Sequence, residues 1–152
     1  MIGFLRGSVM EVEGNLALID VQGVGYEVVI ADSVISKLVP GTSCSLFTRQ
    51  IFREDGVTLC GFLTKVDRLV FDMLLDVKGC GPKVAQALIG QVGTEAITRS
   101  ILAGDTKTLS SASGVGPRLA ERIIVELRPK VESGKAVIGG LPAVSVTTGD
   151  RD

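Results

Sequence analysis

A chain of 152 residues, 45% of them hydrophobic and none of them tryptophan, can hold one ordinary domain or two small ones with aliphatic cores. It contains no histidine, which removes Ser-His-Asp and Cys-His catalysis and histidine-bearing metal sites. The net charge of −1 argues against an indiscriminately basic nucleic-acid binder, yet it hides a division: residues 1–64 carry four Lys/Arg against seven Asp/Glu, and residues 65–130 carry ten against seven. Cys44, Cys60 and Cys80 form no Cys-x-x-Cys pair and are expected to be reduced, small core residues. No apolar stretch approaches the ~20 residues of a membrane span, and Met1–Arg6 lacks the charged start and apolar block of a signal peptide. The expectation is a cytoplasmic protein with no membrane partner.

In chain order, residues 1–62 read as short β-strands. Apolar, β-rich runs cover Ile2–Val12, Leu16–Val21, Gly25–Ile30, Ser43–Arg53 and Val57–Phe62, separated by turn-formers such as Glu13-Gly14-Asn15 and Gln22-Gly23. Ala31–Val39 reads instead as a short helix ended by Pro40-Gly41. Five strands with one helical insertion suit a small closed barrel of the OB type, with a small open sheet as the alternative that periodicity alone leaves standing. Between the last two runs lies Arg53-Glu54-Asp55-Gly56, where Asp-Gly signals a hairpin. By composition its two carboxylates are solvent-facing turn residues, since a metal site or acid pair would need further ligands and none is near in sequence.

From Thr64 the period changes. Thr64 and Asp67 make a capping-box-like start, and Val66, Leu69, Val70, Met73, Leu74 and Val77 follow helical spacing. A second helix opens at Pro82 and runs to about Gln91, with Gly93 as terminator. Thr94 can cap a third helix that stops near Ala103-Gly104, and Asp105 a fourth over Thr106–Ser111. A fifth begins at Pro117 and runs toward Lys130, with Pro129 where it is expected to end. The tail is rich in Gly, Ser, Thr and Ala and reads as a flexible linker. The expected fold class is α+β: a five-stranded OB-type β-barrel over residues 1–63, an all-α tandem helix-hairpin-helix domain over 64–131, and a linker or tail over 132–152.

One string occurs twice in the helical part. Gly79-Cys80-Gly81-Pro82-Lys83 is matched 35 positions later by Gly114-Val115-Gly116-Pro117-Arg118, and Leu74, Ala85, Leu88 and Ile89 are matched by Leu109, Ala120, Ile123 and Ile124. Gly79 and Gly114 can take positive φ, whereas Gly81 and Gly116 let another backbone approach closely. The amides at the following helix start lack intrahelical partners and, with the helix dipole, suit an anion. Lys83 and Arg118 add a charge beside the same phosphate; Arg122 lies one helical turn after Arg118, and Lys78 is a further candidate. Nothing in this pattern reads a base edge, so it implies backbone recognition with marked salt dependence. A glycine that merely caps one helix before a proline opens the next explains one such turn. It does not explain the same string twice with matched flanks. No Gly-x-x-x-x-Gly-Lys-[Ser/Thr] string is present, and no catalytic residue, metal or cofactor is expected.

The barrel followed by tandem Gly-x-Gly-Pro-cation hairpins resembles the RuvA family of bacterial Holliday-junction-binding proteins. The resemblance is carried by Met1-Ile2-Gly3-Phe4-Leu5-Arg6-Gly7, Gly23-Val24-Gly25-Tyr26, Arg53-Glu54-Asp55-Gly56 with Gly61-Phe62, and both hairpins with Leu119-Ala120-Glu121-Arg122-Ile123-Ile124. It covers residues 1 to about 131. It implies non-catalytic binding of four-way junction DNA through backbone phosphates, by a homotetramer or a pair of tetramers, in recombination and repair. It also implies that Glu54 and Asp55 form an acidic pin near the junction centre that repels phosphates and guides strands apart. Family members continue past a linker into a small helical domain that engages RuvB, a hexameric ATPase. Because this sequence stops at Asp152, junction binding without productive motor engagement is the expectation. Two other readings stand beside this one: the DNA-binding part of a glycosylase or nuclease, and an oligomeric scaffold with a weak, unspecific grip.

Overall fold

The computed structural model describes residues 1–134; most of the tail expected over 132–152 lies outside the described residues. The chain divides into two compact units, Met1–Arg68 and a second beginning at Leu69.

The first unit is a closed five-stranded barrel. Its strands are β1 (Phe4–Glu13), β2 (Leu16–Val21), β3 (Val24–Val29), β4 (Ser43–Arg53) and β5 (Gly56–Phe62), in the order β1-β2-β3-β5-β4. Closure, which the alternation of residue types left open, comes from β4 pairing with β1 and from a parallel contact of β3 with β5 at Val29 and Cys60. Alternate positions point inward, and Leu5, Val9, Ala17, Ile19, Val28, Ile30, Leu46 and Leu59 fill the interior. In β1 the register shifts between Val9 and Glu11, so the inward face passes from odd to even positions. Val12 therefore packs against the core while Glu11 stays outside.

The expected helix over Ala31–Val39 shrinks to one turn, α1 (Asp32–Ile35). The loop Gln22-Gly23 has positive φ at both residues, 52° and 92°, the geometry of a type I′ hairpin turn. Asp20 supports it by accepting a hydrogen bond from the Gly23 N–H at 2.9 Å.

The barrel is tied to the start of α2 (Lys65–Leu75). Thr64 caps that helix, accepting from the Asp67 N–H at 3.0 Å. The Arg68 guanidinium donates to the Gly3 carbonyl at 2.6 Å and lies over the Phe47 ring, 5.5 Å from its centroid.

The second unit continues with α3 (Pro82–Gln91), α4 (Thr94–Ala103), α5 (Thr106–Ser110) and α6 (Pro117–Glu132). Two expectations need correction. Gly93, not Thr94, is the N-cap of α4: at φ +92° it both ends α3 and starts α4, a turn that β-branched threonine cannot make. Helix α6 runs through Pro129 to Glu132. Pro129 forfeits one hydrogen bond near the helix end, while continuation buries Val131 on the same stripe as Ile124 and Leu127. Asp105 caps α5 as expected, accepting from the Thr108 N–H at 3.1 Å. No helix among the described residues is long and apolar enough to cross a membrane.

Candidate nucleic-acid interface

The doubled string folds into doubled geometry. In the first copy the Cys80 N–H reaches back to the Val77 carbonyl at 3.0 Å, closing a four-residue turn with Gly79 at its third position and φ +94°. In the second, the Val115 N–H bonds the Ala112 carbonyl at 3.2 Å, with Gly114 at φ +85°. Positive φ at that position is what a type II turn requires, hence glycine in both. Gly81 and Gly116 follow as helix N-caps with nearly identical dihedrals, φ −85° and ψ 179° against φ −90° and ψ 177°. Pro82 and Pro117 open the helices, and the first intrahelical bonds run from Ala85 to Gly81 and from Ala120 to Gly116.

The flanking matches are equally close. Leu74 and Leu109, Ala85 and Ala120, and Leu88 and Ile123 are all fully buried, while Ile89 and Ile124 keep 8% and 6% of their surface. Packing between the copies is reciprocal. A Cβ on Gly79 would lie 3.6 Å from the Leu119 Cδ1, and one on Gly114 would lie 3.2 Å from the Val84 Cγ2. Since Val84 and Leu119 are themselves matched by the 35-residue offset, each turn rests on the other copy's helix. Sequence reasoning missed this pair, although the offset was available to find it.

Gly81 and Gly116 have no such neighbours. Among the described residues a Cβ at either would meet nothing within 4 Å, and both φ values suit any L-residue. Among the described residues no side-chain cap bonds either helix start, and the amides of Lys83, Val84, Arg118 and Leu119 stand at N-termini bearing the positive end of the helix dipole. Lys83 and Arg118 are exposed beside them, as is Lys78. Arg122 is exposed and leans toward Glu126 at 3.9 Å, an i,i+4 pair too solvated to hold it firmly.

Glu54 and Asp55 form the two-residue loop between β4 and β5, both exposed, with Arg53 paired to Gly56 beneath them. The hairpin expected from Asp-Gly forms; neither acid has positive φ, and Gly56 takes φ +148° as the first residue of β5. From Ile51 to Thr58 the ladder pairs these two strands with each other alone, so the acids tip a two-stranded arm. Burial pushes the Cys60 and Cys80 thiols up to about 11 and raises that of Cys44, so none is poised as a nucleophile.

A family model described as the RuvA N terminal domain matches residues 1–61, and one described as a SAM-like helix-hairpin-helix tandem matches residues 71–130. A relative from Bifidobacterium longum subsp. infantis, named Holliday junction branch migration complex subunit RuvA, is 41% identical over 145 residues, 93% of this chain and 70% of that protein. The chain belongs to the RuvA family. Relatives of the same name from Pseudarthrobacter chlorophenolicus and Deinococcus radiodurans are 40% identical over 97% of this chain and 41% identical over 86% of it. The chain spans 67% and 65% of those two RuvA proteins, about two thirds of the length of the curated relatives it matches.

Proposed function

We propose that this chain binds four-way (Holliday) junction DNA without catalysing a reaction on it, gripping backbone phosphates with the two hairpin turns. The observation that carries the proposal is the pair Gly81 and Gly116. Nothing among the described residues excludes a side chain there, so glycine serves something that approaches from outside, above a cation and helix-start amides without a side-chain cap. In this reading Gly79 and Gly114 shape the turns, Gly81 and Gly116 admit the phosphate, and Lys83, Arg118 and Arg122 neutralise it.

The barrel over residues 1–63 carries the acidic pin, Glu54 and Asp55, and residues 64–131 carry the grip. Four chains arranged as a tetramer would bring four pins together at the point of strand exchange, where eight carboxylates repel phosphates rather than cleave them. The protein would thereby hold a junction open for a RuvB-type hexameric ATPase. Membership of the RuvA family and the name its relatives carry support this reading. Fluorescence anisotropy with a labelled synthetic four-way junction and a linear duplex of equal length, at moderate salt, tests it. Clear preference for the junction is expected; equal affinity for both sinks the proposal, and strand cleavage or base release would place the chain among repair enzymes.

A further inference from the structure

We infer that Gln91 is a positioning residue, one that fixes the second turn against helix α3 so that the two turns meet a duplex as one preset unit. The inference rests on the phosphate-binding reading of the turns given above. Gln91 is the last residue of α3, and its side chain reaches Ser113, the residue before Gly114. Its Oε1 accepts the Ser113 N–H at 2.8 Å, and the Ser113 hydroxyl lies 3.1 Å from Nε2 and 3.3 Å from Oε1. The backbone donor fixes the orientation of the amide, since only its oxygen can accept.

Two points on α3 hold the second turn. Val84 packs where a Gly114 side chain would stand, 3.2 Å from the ideal Cβ position, and Gln91 binds Ser113. Val84 and Gln91 are seven residues apart, so they share a helix face and are spaced by roughly 10 Å of rise. The N-terminus of the same helix, with Gly81 and Lys83, is the first phosphate site. One ten-residue rod therefore bears the first grip at its start and braces the second turn through both Val84 and Gln91.

The repeat underlines the point. The 35-residue offset places Lys78 at the position of Ser113. The first turn has an exposed cation there and the second has the tether, so the tether belongs to this one turn. A preset turn loses less freedom when DNA binds, and it is this saving that the tether supplies.

The test compares wild type, Gln91→Met and Ser113→Ala by anisotropy on the same four-way junction across a salt series. Methionine keeps the length and apolar stem of glutamine and removes the hydrogen bonds; alanine removes the hydroxyl and keeps the backbone bond. Affinity should fall about threefold to tenfold for Gln91→Met and less for Ser113→Ala, with an unchanged circular dichroism spectrum. A readout that a merely structural role would not move is coupling. Adding Gln91→Met to Gly116→Ala should cost little further affinity, whereas adding it to Gly81→Ala should cost its full amount, because the tether acts through the second turn alone. Wild-type affinity in Gln91→Met, or equal coupling to both glycine variants, overturns the inference. If Gln91→Met fails to fold, Gln91→Ala, which removes the same hydrogen bonds, takes its place in the same cycles: an affinity loss coupled to Gly116→Ala alone supports the inference, and wild-type affinity overturns it. A wild-type protein that does not bind the junction refutes the phosphate reading first, and the inference falls with it.

Discussion

The four glycines of the two turns divide into pairs that should fail in opposite ways when each receives one methyl group. Alanine at Gly79 or Gly114 must adopt φ of +94° or +85°, a conformation that costs an L-residue about 1–2 kcal/mol. Gly114 should suffer more, since its new Cβ would press on the Val84 Cγ2 at 3.2 Å, whereas the Leu119 Cδ1 stands 3.6 Å from Gly79 in ordinary contact. For a helical unit of this size, about 1 kcal/mol lowers Tm by roughly 4–8 °C. Alanine at Gly81 or Gly116 meets no atom within 4 Å at an ordinary φ. It gains about 0.4–1 kcal/mol by restricting the unfolded chain and loses a similar amount as a poorer N-cap, so Tm should scarcely move.

DNA affinity should show the reverse pattern. On the proposed reading, the methyl at Gly81 or Gly116 would stand where a phosphate meets the helix-start amides. Losing one hydrogen bond to a charged group, about 1.5–3 kcal/mol, weakens binding by roughly tenfold to a hundredfold per site. Differential scanning calorimetry and anisotropy on the four-way junction read the two effects separately. Wild-type affinity in both Gly81→Ala and Gly116→Ala would refute the argument, because nothing outside the fold would then need the glycines. A Tm loss in these variants like that of Gly114→Ala would refute it differently, by exposing a packing role that the open space denies.

Replacing Lys83 or Arg118 by alanine should weaken binding to all DNA sequences alike and flatten the slope of log K against log salt by up to about one unit each, measured by anisotropy titration. Exchanging Glu54 and Asp55 for Gln and Asn should leave junction affinity unchanged or tighter in the same assay; a marked loss would make the acids ligands or fold determinants. The Asp105 carboxyl is held below the ordinary carboxylate range by the Thr108 hydroxyl and N–H. Its contribution to stability is therefore complete above its unfolded pKa of about 4 and lost as pH falls through the lower folded value. Thermal melts at pH 6 and pH 3 should show a smaller acid loss for Asp105→Asn, which keeps an acceptor for the Thr108 N–H but does not titrate.

The hairpins were legible because the repeated string carries two strong local signals, a glycine that must take positive φ and a proline at the first position of the next helix. The same string twice then left little to chance. The barrel was expected from the number and spacing of the strands and is borne out, but the pairing that closes it was not legible, since the contact of Val29 with Cys60 joins residues far apart in sequence and alternation within each strand says nothing of it. The bulge after Val9 was hidden for a related reason, because Met10 and Glu11 resemble any outward pair until the partner strand sets the register. At Gly93 and Pro129 local propensity pointed the wrong way: a backbone turn displaced a good capping residue, and a buried stripe outweighed a helix breaker. Gln91 and Ser113 had no local signal at all, being two polar residues 22 apart whose meeting depends on how the helices pack.

The geometry also limits where a preference for junctions can arise. Each turn offers backbone amides and one cation, and neither a base edge nor a bend in the duplex is needed to satisfy them. If both turns grip phosphates, one chain holds any duplex of suitable groove and cannot distinguish a junction arm from linear DNA. Discrimination must then come from something that differs between the two, and that is the crossover, where four arms converge. The acidic arm tip suits such a place because its charge is unfavourable against continuous backbone and tolerable only where strands part. A single arm with two carboxylates would be screened within about 10 Å at ordinary salt, whereas several converging arms would build a local field strong enough to matter. If the chain assembles as proposed, junction choice would belong to the assembly: the hairpins would supply attraction without preference, and the clustered barrel tips preference without attraction.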